Sequence, residues 1–442
     1  MKKMKSFRVV FVITMVFVVG LLLSSCNKAE FKTSSTSERD AETQVGLLSE
    51  EEAVAQVQNL YGALFGKGLR SESTPEVLSV QKTSVPQDTE TREGEGVFVV
   101  NFKDNRGYVV LSTSKYNEPI IAANDHGFLD ISVPTSNMNL IPVLSNTDAI
   151  LKHGSKLHFF SDLEDEDGKP RRDEPVTEPY EYEFGPWETV FQVGPLVQVE
   201  WDQGAPHNTK LLEIDGDYPP VGCVATAVSQ IMSYHRYPQY DWDRIIADVE
   251  FKDPYSKDVL STLHRDLGKP LYLDMHYTLK ASGADCANVP RTFRAYGYQS
   301  SDLCDYSWET ICAEITARRP VFVSAYSFKH ETTTPKFLFW GGKTEVSYSG
   351  GHAWVLDGIK KVRRWIRFID KRTREVEVSY QTKELVHCNF GWGKLSNNGY
   401  YLSKAFDALK GPVMRGESNI ATSGQKYNYQ YNHKIVKDIK VR

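Results

Sequence analysis

A chain of 442 residues with a formal net charge of −5 has no basic footprint, which argues against nucleic acid as a partner. Its 40% apolar and 12% aromatic residues exclude a disordered or fibrous chain, and its length allows two or three domains with substantial cores. The cysteines form no CxxC pair and there is no HExxH helix, so no metal site is signalled and no cofactor is expected.

The first 26 residues read as a targeting segment. Lys2, Lys3, Lys5 and Arg8 precede an apolar run over 9–23, and Leu23, Ser24, Ser25 and Cys26 follow. This resembles a bacterial lipoprotein signal, which implies lipidation of Cys26, export and a membrane attachment at that end. Residues 27–47, rich in Ser, Thr, Glu and Lys, read as a flexible tether. A small α+β unit is expected over 48–160. Ser49 and Glu52 fit a capping box ahead of an amphipathic helix, and VFVVNF (97–102) and GYVVLST (107–113) flank Asp104, Asn105 and Arg106 as a hairpin. PIIAAN gives a further strand, followed by GFLDI.

Residues 161–183 carry ten acidic residues, three prolines and the basic cluster Lys169, Arg171 and Arg172. Such a stretch is unlikely to pack and is open to proteases, so 161–190 reads as a linker with a cleavage site. From 191 to 442 one large domain is expected. Helices are predicted over 288–297 and 305–318, strands at 320–326, 350–359 and 385–393, a long polar loop over 327–348, and a hairpin over 360–384 as a surface embellishment. Phe337, Phe339 and Trp340 in that loop would border an apolar subsite.

The stretch GCVATAVSQIM at 222–232 organises the rest. Pro219, Pro220 and Gly222 resist helix, whereas 223–237 contains neither Pro nor Gly, so a buried helix opens at Cys223. Unpaired N–H groups and the positive end of the macrodipole there favour a thiolate, the nucleophilic form. On the helix alone a plain buried core cysteine is the favoured reading, and a partner base elsewhere is needed to overturn it. Setting Cys26 aside leaves five cysteines, an odd number, so at least one thiol stays unpaired within an exported chain; Cys304 and Cys312 are near enough in sequence to pair. A nucleophilic cysteine needs a base and an orienting group. His352, in GGHAWVLDG, is the candidate base. Asn389, in HCNFGWG, is placed to accept an imidazole N–H, with an aromatic beside it to exclude water. Strand alternation puts His387 and Asn389 on one face and Cys388 on the other, against a rival arrangement of those neighbours.

His352 follows Cys223 by 129 positions, close to the separation of about 130 found in papain-like sequences. GCVATAVSQIMSYHRYP, GGHAWVLDG and HCNFGWG together resemble the streptopain family of papain-like cysteine peptidases, and the likeness runs over 195–442. The resemblance implies an α+β fold: a papain-like two-part catalytic domain, helical half plus antiparallel β half, preceded by the inhibitory propeptide domain at 48–160. It implies nucleophile Cys223, base His352, orienting residue Asn389, and Gln203 of WDQG as a donor to an oxyanion together with the Cys223 N–H. It also implies protein or peptide substrates, with the propeptide as internal inhibitor. Family members carry Trp directly after the orienting Asn, whereas this chain has Phe390, and Trp392 is left to shield the His–Asn pair. A catalytically silent surface-binding protein on the same fold is the competing expectation.

Overall fold

The first helix is encoded locally. Glu52 N–H donates to the Ser49 hydroxyl at 3.2 Å and Ser49 N–H donates to the Glu52 carboxylate at 2.9 Å, closing a capping box that starts α1 (Glu50–Phe65). The computed structural model describes residues 47–66, 75–84, 96–113, 120–131, 163–164, 180–333, 344–393, 398–403, 429 and 431–442. The signal, the tether and Cys26 lie outside the described residues, as do Lys169, Arg171, Arg172, Phe337, Phe339 and Trp340.

Behind α1 run β1 (Val77–Ser84), β2 (Gly96–Phe102), β3 (Tyr108–Ser112) and β4 (Ile120–Asn124), an antiparallel meander. The β2–β3 turn carries Asp104 and Asn105 at φ 58° and 57°, the left-handed pair that matches strand twist, and both residue types tolerate it. Val57, Leu60, Tyr61 and Leu64 of α1 are buried against these strands, whose residues are buried throughout β2, β3 and β4.

Two short strands, β5 (Leu163–Glu164) and β6 (Tyr180–Phe184), and then β7 (Glu188–Val193) follow. They lie within the stretch expected as a linker, yet β6 and β7 pair with residues 359–370 and β5 with Tyr380 and Gln381. The acidic composition of 161–183 obscured the alternation of YEYEF, which is strand-like.

The helical half consists of α2 (Cys223–His235), α3 (Trp242–Ala247), α4 (Pro254–Leu267) and α5 (Val289–Ala295). Short strands β8 (Tyr298–Gln299) and β9 (Cys304–Asp305) and helix α6 (Trp308–Thr316) lead to the long antiparallel strands β10 (Val321–Thr333), β11 (Thr344–Asp370) and β12 (Val376–Asn389). β13 (Gly399–Leu402), β14 (Tyr431–Val436) and β15 (Lys440–Val441) complete the described elements. In its described residues the polar loop expected at 327–348 is strand: Phe328 to Thr333 pair with Ser349 back to Thr344. The side chains of Lys329 to Thr332 and of Thr344 to Ser347 are exposed on both sides of a two-stranded ribbon, which removes the apolar alternation that marks a strand. The hairpin expected as an embellishment is the distal half of β11 and β12, and it receives β5, β6 and β7.

Strand order is β1-β2-β3-β4-β13-β12-β11-β10-β14-β9 in one sheet. The N-terminal layer therefore continues directly into the C-terminal sheet, through Tyr400 opposite Ala123 and Tyr401 opposite Ala122. One core cluster lies under α1 and α6 and spans both layers, from Leu60 and Val100 to Trp354 and Tyr401; a second joins the helical half to Phe322, Ala353, Val355 and Val436. The alternate faces of β11 thus feed two cores, and His352 sits where they meet.

Candidate active site

The helix bearing Cys223 begins without a side-chain cap. Gly222 precedes it at φ 86°, and a Cβ there would meet the Ser282 carbonyl oxygen at 2.8 Å, so both backbone shape and space require glycine. Val224, Ala225, Ala227, Val228, Ile231 and Met232 are buried, which seats the helix against the sheet. The backbone N–H groups of Ala353 and Val224 act on the Cys223 thiol and favour its charged form. Ala353 is the neighbour of His352, so the start of this helix and the strand that bears the imidazole meet here.

Burial nevertheless outweighs those N–H groups and raises the Cys223 thiol above its usual range. The other four thiols are also raised, chiefly by burial, and none of the five cysteines 223, 286, 304, 312 and 388 is in a disulfide. Cys304 and Cys312 accordingly do not pair with each other. His352 is 5% exposed, and its burial pushes the imidazole down to about 3. Burial thus opposes charge on both groups, against the helix terminus, which favours a thiolate.

The tautomer follows from one bond. His352 Nε2 lies 2.9 Å from the Phe390 carbonyl oxygen, which can only accept, so Nε2 carries the proton and Nδ1 keeps its lone pair. Trp392 stacks on the imidazole with ring centroids 4.1 Å apart, and Tyr429 at 5.2 Å and Trp354 at 5.9 Å also lie parallel to it within 30°. These rings exclude water from the Nε2–H bond.

Asn389, expected to accept the imidazole proton, does not touch His352 in its described hydrogen bonds. Its Nδ2 donates to the Val199 carbonyl at 2.8 Å, and its Oδ1 accepts the Gly391 N–H at 3.3 Å. That N–H belongs to the same peptide unit as the Phe390 carbonyl. Asn389 therefore orients the carbonyl that orients the histidine, one peptide removed. Gly391, at φ 70°, closes the turn against Thr226 of α2. The carbonyl was missed because a backbone acceptor has no signature in sequence.

The Gln203 segment is tied to the approach to the Cys223 helix by its backbone, where the Gln203 carbonyl accepts the Val221 N–H at 2.9 Å, two residues before Cys223. Trp201 ties three segments together: its N–H donates to Gln230 of α2 at 3.1 Å and its carbonyl accepts the Gly393 N–H at 3.0 Å. The structure thus gathers Cys223, His352, the Asn389–Trp392 turn and the Gln203 segment from four separate stretches. His387 instead bonds the buried Asp357 carboxylate at 2.6 Å, and Cys388 is fully buried, so neither joins the site.

The buried neutral histidines make acid stability testable. His352 is held at about 3 and His264, fully buried in the helical half, at about 4, both chiefly by burial. Since the unfolded chain takes up these protons near pH 6.5, their contribution is complete above that pH and is lost as pH falls from 6.5 toward 4, by about 1.4 kcal/mol per pH unit for each histidine. The urea midpoint of the full chain is expected to fall across this window, and His264→Gln to flatten the slope by one histidine's share. Equal slopes for the two proteins would contradict the burial assignment.

A cysteine at a helix N-terminus, paired with a strand-borne imidazole across the junction of a helical half and an antiparallel sheet, defines a papain-like α+β arrangement. Residues 201–240 and 239–401 match the model of the Peptidase C10 family. It is 24% identical over 255 residues to streptopain of Streptococcus pyogenes, covering 46% of this chain and 53% of that protein, so the chain spans about half the length of the curated relatives it matches. Over 240 residues it is 25% identical to the thiol protease/hemagglutinin PrtT of Porphyromonas gingivalis, covering 46% of this chain and 23% of that one. Among solved structures it matches a fragment of Prevotella intermedia prointerpain A with TM-score 0.44 and 17% identity, covering 82% and 100% of the two chains. Active interpain A matches with TM-score 0.36 and 21% identity, covering 56% and 95%.

Proposed function

We propose that the chain is a cysteine endopeptidase made as a zymogen and exported as a lipoprotein anchored through Cys26. The observation that carries the reading is the His352 tautomer: with Nε2–H bound to the Phe390 carbonyl, Nδ1 is left as the base on a ring whose neighbour, Ala353, contacts the Cys223 sulfur. In the reaction Nδ1 takes the thiol proton and the sulfur attacks a substrate carbonyl. The Cys223 N–H and the Gln203 amide hold the oxyanion, the imidazolium protonates the leaving amine, and water then cleaves the thioester. Residues 48–160 act as the inhibitory propeptide, separated by a cut within 161–190, and the substrates are proteins or peptides.

Burial that opposes charge on Cys223 and His352 fits a latent precursor; it also fits a silent surface-binding protein on the same fold. Alkylation by iodoacetamide separates the two. After maturation, Cys223 is expected to react at least about tenfold faster than Cys286, Cys304, Cys312 or Cys388, because a thiolate paired with an imidazolium outpaces a buried thiol, and casein hydrolysis should stop as that label accumulates. Uniformly slow labelling in a chain that also fails to hydrolyse casein would favour the binding protein.

A further inference from the structure

The Phe390 backbone has a second anchor, and it leads to the N-terminal layer. Phe390 N–H donates to Asn398 Oδ1 at 2.8 Å, and Asn398 Nδ2 donates to Glu200 Oε1 at 2.9 Å. Asn398 is 2% exposed, so these bonds are screened from water. The same carboxylate oxygen lies 3.5 Å from His126 Nε2, while Asp125 holds the other nitrogen of that ring at 2.8 Å. Asp125 and His126 directly follow β4, the strand that joins the N-terminal layer to β13. A continuous series of contacts therefore runs from that layer through Glu200, Asn398 and Phe390 to the Nε2 proton of His352.

We propose that Glu200 and Asn398 are positioning residues for His352, and that His126 sets the Glu200 carboxylate so that attachment of the N-terminal layer is felt at the base. This rests on the reading of Cys223 and His352 as a catalytic pair. Asn389 fixes the N–H of the peptide unit whose carbonyl receives Nε2–H, and Asn398 fixes the preceding N–H. With both held, the carbonyl has one direction, and the imidazole is locked in the plane that Trp392 covers. Without Asn398 the turn at 390–391 pivots about Asn389 alone, the carbonyl swings off Nε2, and the imidazolium loses its acceptor.

The test uses the full chain and its matured form, with Asn398→Leu, Glu200→Leu, Glu200→Gln and His126→Ala. Asn398→Leu and Glu200→Leu should lower kcat by about ten- to a hundredfold, the loss typical of a slightly misplaced catalytic group, with KM within about twofold. The basic limb of the pH profile should move to lower pH, because an imidazolium without its carbonyl acceptor loses its proton more easily. Glu200→Gln keeps an oxygen that accepts from Asn398 and should restore kcat to within about threefold. In full chain carrying 15N-labelled histidine, the Nε2–H resonance of His352, assigned with His352→Asn, should shift in both leucine variants and in His126→Ala. A resonance that coincides with wild type in Asn398→Leu and Glu200→Leu overturns the proposal, as do kcat and KM losses that merely track a lowered melting temperature. Coincidence in His126→Ala breaks the link to the N-terminal layer. If matured wild type shows neither turnover nor fast Cys223 alkylation, the catalytic reading has failed, and the resonance still decides whether the relay exists.

Discussion

Cys223→Ala is expected to reduce casein or peptide hydrolysis by the matured protein by about 10⁴-fold or more, the scale of loss seen when a covalent nucleophile is removed, with cooperative unfolding retained. Among the five described thiols, Cys223 alone begins a long buried helix and receives the N–H of the residue next to His352. Cys388 lies in the core under the sheet, held well above its usual range by burial and by the Asp357 charge. Cys286 hydrogen-bonds Ser324, opposite Ala353 on β10, and burial pushes it up to about 12. Cys286→Ser and Cys388→Ala should therefore retain hydrolysis wherever they fold. Cys223→Ser should behave like the alanine variant, because the buried neutral imidazole is a poor base for a hydroxyl. Hydrolysis by Cys223→Ala within tenfold of the wild-type rate would place the nucleophile elsewhere.

Features set by neighbours in the chain were legible before the structure. The Ser49–Glu52 box, the Asp104–Asn105 turn and the helix opening at Cys223 each depend on a few adjacent residues, and they form where the sequence places them. Strands whose two faces are both polar were not legible. The ribbon of β10 and β11 beyond Phe328 and the acidic strand YEYEF lack the apolar alternation that separates strand from loop. At the site, side chains were readable and backbone was not. Asn389 was named for a bond that the Phe390 carbonyl makes, and its own amide works on the adjoining peptide unit. Glu200 and Asn398 offered no motif, since their partners are a backbone N–H and each other. The thiol's setting has a tertiary part that the sequence does not show: the helix terminus favours a thiolate, and burial opposes it.

The continuity of the sheet leads to a second large effect. If a single cut between residues 165 and 179 is introduced through an inserted site-specific protease sequence, the two pieces are expected to stay together, eluting from a sizing column in native buffer at the position of the uncut chain. β4 supplies the neighbour of β13, so its departure would leave an unpaired strand edge carrying Tyr400 and Tyr401. Leu60, Leu64, Val100 and Leu111 share one core with Trp354, Leu385 and Tyr401, and separation would expose both halves of that core to water. Lys360 adds a polar reason: it is 2% exposed, held down to about 8 by burial, and donates to the Leu64 carbonyl near the C-terminal end of α1, leaving a buried amine without that acceptor once the helix goes. Residues 180–442 expressed without the N-terminal layer should accordingly give a lower yield of cooperatively folded protein than the full chain refolded in the same way. On this account the cut is necessary for maturation without being sufficient, and a further event, such as digestion of the N-terminal layer itself, must free β13 and the Glu200 carboxylate together. Nicked pieces that separate on simple dilution at neutral pH would show instead that the shared strand pairing is weak, and that cleavage alone completes the release.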